Sequence, residues 1–149
     1  MTPTINMQAG TDLTLFELLV AQAPDAMIFA DRDGTIRVWN GSAELLFGYP
    51  GTEVIGGSLD VIIPDRLRNA HWRGFRTAID SGQAKYVGKV LTTRALHKNG
   101  GKLYVDLSFA LVKDAAGTIT GALAIARDCT DRYLADNALR APSEAPHRH

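Results

Sequence analysis

The sequence predicts an α+β domain: a five-stranded antiparallel sheet with short helices and one long helix packed on one of its faces. Three observations carry that prediction. Two strand-like runs meet at Asp33-Gly34, the dipeptide chemistry of a tight hairpin turn. A long amphipathic helix follows, bounded by Pro64 and Gly82, the asymmetry expected of helix ends. Three further strand-like runs come after it, divided by "KNGG" and "DAAGT".

Residues 1–11 are polar and aperiodic and read as a flexible tail, followed by a single domain over residues 12–140 and a second disordered tail over 141–149. Leu15, Leu18 and Leu19 fall at helical spacing, with Asp12 placed to cap and Pro24 just past the end. Asn40 or Ser42 can cap the next short helix, and Gly48, Pro50, Gly51, Gly56 and Gly57 punctuate a run of turns. In the fourth strand Leu103, Val105, Leu107, Phe109 and Leu111 alternate with Lys102, Tyr104, Asp106, Ser108 and Ala110, so one face is buried. "DRYLADNALR" reads as a closing helix.

A chain of 149 residues, 46% of them hydrophobic, is long enough to bury one core. Its 16 basic and 16 acidic residues cancel, and no like-charge run occurs, so neither nucleic acid nor an anionic membrane is an expected partner. One cysteine, Cys129, allows no internal disulfide and suits a reducing compartment. With no signal-like segment, the expected location is cytoplasmic. No phosphate loop, nucleophile elbow, zinc spacing or kinase signature is present, and an enzyme is not expected.

On the long helix, Leu67, His71, Phe75, Ala78 and Ile79 share one face, which turns His71 inward. A buried imidazole needs a partner, and the choices are a backbone carbonyl, a water or a metal. Leu107, Phe109, Leu123 and Ile125 are expected to line the facing sheet. A histidine in an apolar cleft has the chemistry of a haem ligand, and it is equally the chemistry of a core histidine with its hydrogen bonds satisfied. Trp39 and Trp72 read either as packing residues or as stacking partners for a porphyrin or flavin. His97, His147 and His149 do not cluster with His71.

The stretches "APDAMIFADRDGTIRVWNGSAELLFGY", "KNGGKLYVDLSFALVKDAAGTITGAL" and "ARDCTDRYLADNALR" resemble the opening hairpin and helix, final hairpin and exit segment of PAS sensor domains. The resemblance implies a sensory signalling module whose final helix transmits the signal. It also implies an ion pair at the exit, Asp128 with Arg132 or Arg127 with Asp131, although Asp128 or Thr130 also suits a plain helix cap. Arg68, His71 and Gly82 are similar in position to residues of haem-binding PAS domains in rhizobial oxygen-sensor kinases and oxygen-sensing phosphodiesterases. That likeness implies haem b with His71 on the iron and Leu67, Phe75, Leu91, Leu107, Phe109, Leu123 and Ile125 around it.

Leu91 stands where those sensors carry an arginine, which implies an apolar distal side that favours carbon monoxide or nitric oxide. Of the nearby cations, Lys89 shares strand parity with Leu91 and Arg94 does not. A diatomic gas, a homodimer partner and a separate effector protein, or an effector domain of a longer chain, are the partners so implied. The alternative is a haem-free module for dimerisation or small-metabolite binding, with a flavin third. A light-sensing photochemistry is not expected, because "GGSLDVII" lacks the cysteine which that PAS subfamily carries before the long helix.

Overall fold

A computed structural model describes residues 7, 10, 12–84 and 88–140. The tail expected at 141–149, with His147 and His149, and most of that at 1–11 lie outside the described residues. Helix α1, Leu13–Gln22, is capped by Asp12, whose carboxylate accepts from Leu15 N at 3.2 Å. Strands β1, Ala26–Asp31, and β2, Ile36–Trp39, form the expected hairpin. Its turn is braced by Asp31, which accepts from the amides of Asp33 and Thr35 and from Arg37. Gly34 has φ 84°, and a Cβ there would stand 2.6 Å from the Trp72 ring, so both backbone and neighbour require glycine.

Helices α2, Gly41–Phe47, and α3, Gly51–Val54, and a 3-10 turn, Leu59–Ile62, lead into α4, Asp65–Ser81. Of the two residues suited to cap α2, Asn40 does so. Its side chain accepts from Ala43 N and Met27 N and donates to the carbonyls of Val20 and Asp25, which ties α1, β1 and α2 together. Strands β3, Leu91–Leu96, β4, Lys102–Lys113, and β5, Ile119–Asp128, precede α5, Thr130–Arg140. All pairings are antiparallel, in the order β2-β1-β5-β4-β3.

The register defines two faces of the sheet. Ile28 lies across from Ala124, Phe109 across from Ala124, and Leu107 across from both Ala126 and Leu91. That inner face joins Ile36, Phe47, Val54 and Ile62 in the core. On the outer face β4 does not alternate as expected at Tyr104, which is 7% exposed because Tyr133 of α5 stacks on it at 3.8 Å. Among the described residues, no helix is long and apolar enough to cross a membrane.

Candidate functional site

The long helix and the 3-10 turn stand away from the inner sheet face far enough to leave a cavity of about 350 Å³ between them. That volume lies at the low end of the range for small-molecule and cofactor sites. Its helical wall carries Leu59, Ile62, Ile63, Leu67, Ala70, His71 and Phe75, and Phe47 closes one side. Its sheet wall carries Ile28, Ala30, Leu91, Thr93, Ala95, Val105, Leu107, Phe109, Ala122 and Ala124. His71, Leu67, Phe75, Leu91, Leu107 and Phe109, singled out from the sequence, are thus brought together around one space.

Ile125 is not. It lies across from Ser108 and Met27 on the outer face, and the small residues Ala122, Ala124 and Ala126 take the inward positions of β5. Leu123 borders the cavity, although its register sets it with Phe29 and Ala110 on the outer side. Lys89 is exposed ahead of β3 and does not border the cavity, whereas Arg94 borders it although its register, across from Tyr104, sets it on the outer face as its strand parity predicts. Sequence reasoning passed over Thr93, which shares the strand parity of Leu91 and therefore faces the same space.

His71 is partly buried, and its Nδ1 is shut off from solvent with no hydrogen-bond partner. Burial lowers its pKa below the ordinary histidine value, against the opposing pull of the Asp60 carboxylate, which favours the neutral imidazole. The ring meets Trp72 edge-on at 4.6 Å and lies nearly parallel to Phe75 at 6.3 Å. An imidazole that borders a mainly apolar cavity and has one nitrogen buried without a partner fits a metal-ligand role, since a buried polar atom without a partner is costly.

The tryptophans are packing residues. Trp72 donates to Asp60 at 2.7 Å, Trp39 donates to the Tyr49 carbonyl at 2.9 Å, and neither borders the cavity. His97 caps the space over Gly48 and accepts from Asn99 N. Among the described residues there is no cluster of three or more acidic, cysteine or histidine side chains suited to a bare metal ion.

Directly behind the cavity wall, on the outer face, lies an ionic network. Asp106 accepts both guanidinium nitrogens of Arg132, at 2.9 and 3.0 Å, and the Thr92 hydroxyl at 2.6 Å. These hydrogen bonds, Arg132 first, hold the Asp106 carboxyl down to about 2. The exit pairs expected from the sequence are therefore corrected. Arg132 reaches back to β4, Arg127 pairs with Asp25, and Asp128 accepts from the amide and hydroxyl of Thr130. Cys129 is 6% exposed, and burial raises its thiol pKa, which suits a small core residue.

Residues 14–129 match the PAS fold. Over 121 residues the chain is 32% identical to the oxygen sensor protein DosP of Escherichia coli K12, covering 81% of this chain and 15% of that relative's length. The PAS domain of a Colwellia psychrerythraea protein superposes with a TM-score of 0.69 at 24% identity, covering 80% of this chain and 98% of that one. An RNA-binding light-oxygen-voltage receptor superposes at 0.70 with 20% identity, over 96% of this chain and 41% of its own. With the sheet order, the long helix and the cavity between them, these likenesses establish that the chain belongs to the PAS family.

Proposed function

We propose that this PAS domain is a sensory module that takes haem b into the cavity beside His71 and responds to a diatomic gas or to redox state. The observation that carries this reading is His71 on the wall of a mainly apolar cavity, with its Nδ1 buried and without a hydrogen-bond partner. The likeness to an oxygen sensor supports it. When bound, haem would supply an iron centre with a coordination position open to a gas. His71 would hold the iron, its lowered pKa keeping the imidazole in the neutral, ligating form. Leu67, Phe75, Leu91, Leu107 and Phe109 would exclude water and make most of the gas side apolar, which favours carbon monoxide or nitric oxide.

The route to an output is short. Leu91 and Leu107 face each other in the cavity wall, and the next residues along each strand, Thr92 and Asp106, belong to the network that holds α5. Movement of the wall would bias that network, and α5 would pass the change to a separate effector protein or to further domains.

The test is an absorption spectrum of protein expressed with a haem precursor. A Soret band that shifts with carbon monoxide and is lost in a folded His71→Ala variant is the expected result. A flat spectrum after haem reconstitution sinks the proposal. A second, haem-free reading then takes its place, favoured by α1, on which Leu13, Leu15, Leu18 and Leu19 are 76%, 44%, 48% and 56% exposed. Such a stripe suits a homodimer or another protein partner. Third is a flavin, which draws no support from the two tryptophans.

A further inference from the structure

Adjacent threonines in β3 are treated differently by the fold. The Thr92 hydroxyl, on the outer face, donates to Asp106 at 2.6 Å. Thr93 points the other way, between Leu91 and Ala95 on the inner face and across from Val105, which is 1% exposed. Its hydroxyl has no hydrogen bond to another described residue. Apart from His71 and Arg94, every other residue bordering the cavity has an apolar side chain, and the register sets Arg94 on the outer face, across from Tyr104. A polar group turned into an apolar space and left unpaired is unfavourable unless something in that space uses it.

We infer that Thr93 is the ligand-facing hydroxyl of the cavity, held for the polar atom of a small, otherwise apolar ligand and setting which ligand is preferred. The identity of that ligand as a diatomic gas rests on the haem reading above. A neutral hydroxyl gives one modest hydrogen bond, so it tunes the preference among gases without the strong pull of a cation.

The experiment compares wild type, Thr93→Ser and Thr93→Val. The haem-loaded proteins are examined as carbon monoxide complexes by infrared spectroscopy, and the haem-free proteins by thermal melting. A hydroxyl donating to the ligand's outer atom lowers the C–O stretching frequency. Thr93→Val is therefore expected to raise it, with Thr93→Ser staying near wild type. The same frequency in all three overturns the inference while the Soret band leaves the haem reading standing. If no variant takes up haem, the haem reading fails and melting decides. A higher Tm for Thr93→Val supports a hydroxyl not used by the fold, whereas an unchanged or lower Tm shows that the fold uses it and overturns the inference.

Discussion

Leu107 and Asp106 are neighbours in β4, yet one faces an apolar cavity and the other a set of charge-assisted hydrogen bonds. The inner side of the sheet is held by burial, with Ile36, Phe47 and Val105 each no more than 1% exposed. The outer side, near α5, is held by the Tyr104–Tyr133 stack and by Asp106 with Arg132 and Thr92, an ion pair and hydrogen bond whose partners are exposed and which contribute little each. The two sides therefore separate two tasks. The core and the cavity lie on one face, and the attachment of the final helix lies on the other, one peptide unit away.

The most damaging way to break this division is on the inner side. Phe47→Ala removes a fully buried ring that closes the cavity and should cost about 3–5 kcal/mol, read from denaturant unfolding. Asp106→Ala, on the outer side, should cost below about 1 kcal/mol in global stability because its partners are exposed. It should nevertheless loosen α5, seen as loss of the near-ultraviolet dichroism of the Tyr104–Tyr133 stack. A cost for Asp106→Ala as large as that of Phe47→Ala would erase the distinction between the faces.

The smallest effect should come from acid. The Asp106 carboxyl is held below its ordinary value of 3.8, at about 2, so the contribution of its network is present above pH 4 and is lost as pH falls through about 2. The tyrosine signal of wild type should fade over that interval, and that of Asp106→Asn should not follow the same titration.

Much of the fold was legible because its punctuation is local. Asp33-Gly34, Asn40, Pro64 and Gly82 fix a turn, a cap and two helix ends by chemistry that needs no distant partner. The helical half of the candidate site was legible for a similar reason, since the stripe from Leu67 to Ile79 specifies one face. The sheet half was less so. In β5 both faces are apolar, so side-chain size pointed to Leu123 and Ile125. The register instead turns Ala122, Ala124 and Ala126 inward, and small inward side chains leave space where larger ones would fill it. The ionic network was misassigned along the chain because Arg132 finds its carboxylate 26 residues away, across the β4–β5 hairpin.

The place of β3 in the sheet has a consequence for traffic. Among the described residues it pairs with β4 alone, whereas β1, β5 and β4 each lie between two strands. Its backbone bonds can therefore break without disturbing any other strand pairing, and an element with fewer pairings opens locally at a lower free energy than the strands at the centre of the sheet. Because Leu91, Thr93 and Ala95 ride on it, fraying of one six-residue strand exposes the cavity while the central strands stay paired. On the function proposed above, exchange of a small molecule would need no permanent channel and would be timed by the breathing of a sheet edge.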